Sequence, residues 1–169
     1  MPTFKNVDQL NKWIQKNAMN LTLDNGKTLK DILKEEASRL KEIIKKNIQA
    51  YYDSYIPTTY SRTMGLLNSL RVDAVKKDGN NISVRLWFDE NAIHPSVIDS
   101  EKWDDGFVAI LIDTGWQVSQ GSHMNIPHFG FQEGAHFIEN SVKEYNANNQ
   151  YGFKISVEYS PYSELNFEL

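Results

Sequence analysis

The chain has 169 residues, 40% hydrophobic and 12% aromatic, which suits one domain with its own core and is too apolar for a disordered segment. Eighteen basic against twenty-two acidic residues leave a net charge of −4, which argues against a broad grip on duplex DNA. The absence of cysteine excludes disulfides and thiolate zinc sites, and with neither an apolar leader nor a membrane-length run a soluble, unsecreted chain is expected.

Asn6 followed by Gln9 has the form of a capping box and predicts a helix over about Val7 to Asn20. Val7, Leu10, Trp13, Ile14 and Ala18 would form its apolar stripe. Asp24-Asn25-Gly26 signals a turn, after which Thr28, with Asp31 three residues on, caps a second helix reaching Tyr55. Leu29, Ile32, Leu33, Ala37, Leu40, Ile43 or Ile44, Ile48, Tyr51, Tyr52 and Tyr55 sustain a helical stripe. At ~1.5 Å per residue this helix spans roughly 40 Å. Its charged face, including Lys34, Glu35, Glu42 and Lys45, reads as solvated. Tyr51, Tyr52, Tyr55 and Tyr60 suit a core edge or a protein interface equally.

Pro57 stops the second helix near Tyr55. Ser61 or Thr63 can cap a short helix over 62–70 carrying Leu66, Leu67 and Leu70, and Arg62 offers a five-donor fork to a carboxylate or carbonyl. Alternation in 71–76 and 82–88 around Asp78-Gly79 predicts a β-hairpin. Residues 89–105 are polar, contain Pro95 and read as a loop or partly ordered insertion. The nearly continuous apolar run 107–113 predicts a central strand buried on both faces, ended by Thr114-Gly115. A polar loop over 117–127, with His123, precedes a helix over about 132–146 that turns Ala135, Phe137, Ile138, Ser141, Val142 and Tyr145 inward. Residues 153–159 alternate as a fourth strand. The tail 160–169 alternates Leu165, Phe167 and Leu169, which need a partner surface in their own sheet or on a neighbouring subunit.

The expected architecture is a single α+β domain, an antiparallel sheet of about four strands packed against a long N-terminal helix and a C-terminal helix. Within it, 1–55 forms the helical N-terminal region, 56–159 holds the sheet with the short and C-terminal helices, and 160–169 is the tail. Chemistry is harder to find. His128 and His136, near Asp113, Glu133 and Glu139, raise a metal-dependent hydrolase as an alternative, but they lie eight residues apart and straddle a helix start. No nucleophile elbow, HExxH or phosphate loop occurs. No catalytic residue, metal or cofactor is therefore expected. Lys41, Lys45 and Lys46 beside Tyr51 and Tyr52 form a small basic patch that neighbouring carboxylates dilute, leaving room for incidental DNA contact.

A function emerges from resemblance. Tyr60-Ser-Arg-Thr-Met-Gly-Leu-Leu-Asn-Ser69 resembles the R-T-G-x-L-x-x-S signature of neck, or tail-completion, proteins of tailed bacteriophages, with Met64 interposed between Thr63 and Gly65. Ala109 to Trp116 is similar to that family's central strand, which ends in an acidic residue and glycine. Pro127-His-Phe129 leading into 134–142 is similar to its Pro-Phe and amphipathic C-terminal helix, without the arginine often found before the proline and with a longer 89–105 insertion. The resemblance implies a non-enzymatic virion subunit that forms a ring, commonly six-fold, at the head–tail junction or top of the tail. Its partners would be connector, terminator or tail-tube proteins, met after assembly in the bacterial cytoplasm. A non-enzymatic binding module of a mobile element, acting as monomer or dimer, is the alternative. Candidate interface residues are Tyr51, Tyr52, Tyr55, Tyr60, Arg62, Asp113, Trp116, His123 and Phe167, with Asp113 as the acidic partner of Arg62.

Overall fold

The computed structural model describes residues 4–23, 26–54, 64–79, 81–89, 109, 112–118, 130–149, 151–158 and 164–168; the side chains of 116–118, 130–132, 154, 156, 158 and 164–168 lie outside that description. Helix α1, Val7–Asn17, continues into a 3-10 turn, Ala18–Asn20. The Asn6 side chain accepts from the Gln9 N–H at 2.9 Å, while the Gln9 side chain reaches past the cap to the Lys5 N–H at 3.0 Å. Helix α2, Leu29–Asp53, has the full capping box, Thr28 and Asp31 each bonding the other's backbone N–H. At ~1.5 Å per residue its 25 residues span roughly 38 Å.

The predicted stripe of α2 is its buried face: Ile32, Leu33, Ala37, Leu40, Ile44, Ile48 and Tyr52 are buried. Ile44 points inward and Ile43 lies at the core margin. Each fully buried Leu or Ile contributes about 1.5–3 kcal/mol of transfer free energy, so this one face anchors the domain.

The expected hairpin forms in two sections. β2, Lys76–Asp78, pairs with β3, Asn81–Ser83; β1, Leu70–Val72, pairs with β4, Arg85–Phe88, with Leu70 opposite Phe88. From Ile82 to Phe88 every second residue is buried, so register and core placement follow from period-two alternation. β4 continues onto β8, Glu164–Glu168, which pairs with β7, Lys154–Glu158, to give an antiparallel sheet of order β1-β4-β8-β7. The expected four-strand α+β architecture is therefore present. Of the two partners open to the tail, its own sheet takes 164–168, so this stretch is a sheet strand with neighbours on both sides.

Three expectations need correction. Residues 109 and 112–114 are helical, where a third strand was expected. Burial was read correctly, since Ala109 and Asp113 are 0% and 1% exposed, but a short apolar run does not distinguish a buried strand from a buried helical turn. Gly115, expected to end that strand, begins β5, Gly115–Val118, paired with β6, Gly130–Glu133, although 117 onward was expected as loop and 132 onward as helix. The C-terminal helix accordingly starts later, at Phe137, and ends at Ala147. Helix α3 is shorter than expected, Gly65–Ser69, and Met64 occupies its N-cap position in a left-handed conformation, φ 58°, with no side-chain cap. Ser61 and Thr63, the expected caps, lie outside the described residues.

Candidate assembly surface

The second and third blocks of the neck-protein resemblance meet at the start of the C-terminal helix. His136, at its N-cap position, has φ 50° and no side-chain cap. The cap comes from 25 residues upstream: the Asp113 carboxylate accepts from the Ile138 N–H at 2.8 Å. The Asp113 carbonyl accepts from the His136 N–H at 2.9 Å and the Ile112 carbonyl from the Ala135 N–H at 2.8 Å. An anionic acceptor against a helix N-terminus satisfies an orphan donor and opposes the dipole's positive end. Gly134 is required here, because a Cβ on it would overlap the Asp113 carbonyl oxygen and the backbone of Thr114 and Gly115. Asp113 thus buttresses a helix, and it is buried rather than presented at the surface.

The C-terminal helix packs along α2 through a polar seam. The Tyr145 hydroxyl donates to Glu36 Oε2 at 2.6 Å, and Arg39 Nη2 lies 3.0 Å from the same oxygen. The Arg39 guanidinium stands 4.6 Å from the Tyr145 ring centroid, and its Nη1 donates to the Asn148 carbonyl at 3.0 Å. Glu36 and Tyr145 are 5% and 0% exposed, so the carboxylate has exchanged water for a phenol and a guanidinium. Burial, and then the bond to Glu36, push the Tyr145 phenol well above its ordinary value. Farther along, Asn47 donates to Ser141 Oγ at 3.1 Å and Lys46 pairs with Glu144 at 2.8 Å. Arg39 was missed from sequence because it was read with the charged face, and Glu36 because it was weighed only as the neighbour of Glu35. Glu36 falls four residues before Leu40 and four after Ile32, a helical position on the apolar side.

The remaining candidates divide. Tyr52 is a core residue, 7% exposed, whereas Tyr51 is half-buried at the core margin, their ring centroids 6.1 Å apart. Trp116 stands opposite Gln132 in β5–β6, and Phe167 opposite Ile155 in β7–β8, as register positions. Tyr55, Tyr60, Arg62 and His123 lie outside the described residues, as does the Arg62–Asp113 pairing. Among the described residues, Arg71 ties the short helix to the neighbouring strand. Its Nη1 donates to the Asn68 carbonyl at 2.6 Å and its Nη2 pairs with Asp89 at 3.2 Å. The Asp89 N–H closes the junction on the Ser69 carbonyl at 2.9 Å.

The model of the YomN family matches residues 6–157. The chain belongs to the YomN family. The family's name is phage- or prophage-derived, and the chain is accordingly phage-associated. The YomN match runs from the cap of α1 to Val157 in β7, taking in α2, the Arg71 junction, the Asp113 buttress and the C-terminal helix. β8, which joins β4 to β7, follows the matched span. No curated protein and no solved structure matches the chain. Among the described residues, no group of three or more His, Asp or Glu side chains is placed to hold a metal; His128 lies outside them.

Proposed function

We propose that this phage-associated chain is a structural virion protein that joins head to tail, or completes the tail, by forming a ring in the neck. The observation that carries the reading is the Asp113 buttress, which makes the second and third blocks of the resemblance a single hydrogen-bonded unit. Residues of the first block are consistent with this: Leu66 and Leu70 enter the same core, and the Ser69 side chain is buried. On this reading the protein works by shape and association, without catalysis or a cofactor. Its partners are copies of itself and the adjoining connector, terminator or tail-tube proteins. Tyr51, Tyr55, Tyr60, Arg62, Trp116, His123 and Phe167 remain the candidate contacts. DNA contact in the channel is incidental, since Lys45 and Lys46 are ion-paired with Glu42 and Glu144.

The test is to delete the gene from the phage or prophage that encodes it, then analyse particles by mass spectrometry and electron microscopy. The expected result is the chain in intact wild-type virions, with separate filled heads and tails when it is deleted. Intact, infectious particles without the chain would overturn the proposal.

A further inference from the structure

β7, Lys154–Glu158, ends the order β1-β4-β8-β7, and among the described residues no strand pairs with its outer edge. A strand in that place holds a row of N–H and C=O groups directed away from its sheet, a template for one more strand. At the other end of the sheet β1 has only three residues. β7 has five, none of them proline, and each pairs one for one with β8, so the edge is regular. Its core side is unfinished. Ile155 and Val157 are half-buried at the core margin, whereas Leu86 and Phe88 on β4, inside the sheet, are 0% and 3% exposed.

The edge is complementary to itself. Set antiparallel to a second copy about Ser156, Lys154 falls opposite Glu158, Ile155 opposite Val157 and Ser156 opposite Ser156. Unlike charges and β-branched residues are favourable cross-strand pairs, and like charges directly opposite are unfavourable. Competing registers lose this match. A parallel alignment sets lysine on lysine and glutamate on glutamate. A one-residue slip sets Ile155 against Ser156 and turns the two core faces to opposite sides. A two-residue slip gives up both charge pairs. The antiparallel register also continues the pattern of the sheet, whose own pairs are all antiparallel.

We propose that two copies of this chain pair edge to edge through β7, about a two-fold axis at Ser156. Such a pair closes on itself, so it is distinct from the head-to-tail contacts of a ring and stands whether or not the chain is a virion subunit. Sedimentation velocity of the full chain, over a concentration series at low salt where charge pairs are least screened, tests it. Five strand pairs make a small joint, so wild type should dimerise with a dissociation constant between about 10 μM and 1 mM. Glu158→Lys sets lysine opposite Lys154 at both ends of the joint, and Lys154→Glu sets glutamate opposite Glu158. Each variant alone should associate at least about tenfold more weakly. Mixed in equal amounts, the two should pair at least as tightly as wild type, because both ends then carry unlike charges. The thermal midpoint of dilute Glu158→Lys should not fall, since in its own sheet Glu158 stands opposite Glu164. Lys154 stands opposite Glu168, so if Lys154→Glu unfolds, the association of Glu158→Lys decides alone. A wild type still monomeric at about 1 mM would overturn the proposal. So would a Glu158→Lys variant that associates like wild type, or two folded variants that pair no better mixed than alone.

Discussion

Helices α1 and α2 begin alike and end differently. Each opens on a side-chain cap three residues before a matching polar residue, and each carries an apolar stripe at helical spacing. Yet α2 buries Leu33, Ala37, Leu40, Ile44 and Ile48 completely, while α1 buries nothing. Caps and periodicity determine that a helix forms and which side is apolar. Burial needs a complementary surface, and within the subunit α2 meets β1, β4, α3, the C-terminal helix and the 3-10 turn that follows α1. Along α1 the stripe stays largely open at Val7, Leu10 and Ile14, and only its end, at Ala18 in the 3-10 turn, packs against the core.

The contrast can be broken most forcefully at Ile44. Ile44→Ala in α2 should cost about 2–5 kcal/mol in urea unfolding, because a fully buried side chain leaves a cavity. A loss below ~1 kcal/mol would mean that α2 is not the anchor. Tyr145→Phe comes next, at about 1.5–3 kcal/mol, since it leaves a buried carboxylate without its phenol donor. The same variant has a pH signature. Native Tyr145 keeps its proton above the ordinary value of 10.0, so its contribution is full below about pH 10 and is lost as pH climbs toward the higher native value. Wild type should therefore lose stability more steeply than Tyr145→Phe in alkali; parallel alkaline limbs would contradict the assigned proton.

Asp113→Ala should cost about 1–3 kcal/mol by removing a buried cap from the Ile138 N–H. Gly134→Ala should act on the same junction through overlap with its backbone, and either variant is read by loss of amide protection at 137–140. The caps sharpen the comparison further. Thr28→Ala should lower global stability by about 1 kcal/mol, whereas Asn6→Ala should reduce helical circular dichroism and leave the unfolding midpoint in place. Equal shifts of the midpoint would show that α1 is folded onto the body. Smallest of all, Leu10→Ala should change monomer stability by less than ~0.5 kcal/mol, as befits an exposed side chain.

Much of this fold was legible before any coordinates. The capping box of α2, its inward stripe, the alternation from Ile82 to Phe88 and the strand at Lys154–Glu158 all follow from local periodicity. The run 107–113 was misread because both states of a short buried segment have the same apolar composition. In its described part, Asp113 sits in a helical turn and caps the C-terminal helix, a contact between segments that composition does not reveal. β5–β6 was missed because each strand has four residues: the alternation of Trp116, Gln117 and Val118 is too short to stand out, and Gly130–Glu133 shows none. Of the proposed contacts, Tyr52 and Asp113 turned inward, where an aromatic ring and a carboxylate each have a structural use.

By itself the sequence determined the secondary structure of its long periodic segments, the apolar side of each helix and the α+β class, because these depend on spacing and on groups within one turn of one another. Only the tertiary structure decided that Glu36 and Arg39 belong to a buried seam with Tyr145, that Asp113 caps a helix 25 residues away, that 164–168 complete the sheet and that α1 stays uncovered. Each of those outcomes turns on which surfaces meet across long stretches of chain, and no local periodicity encodes that meeting.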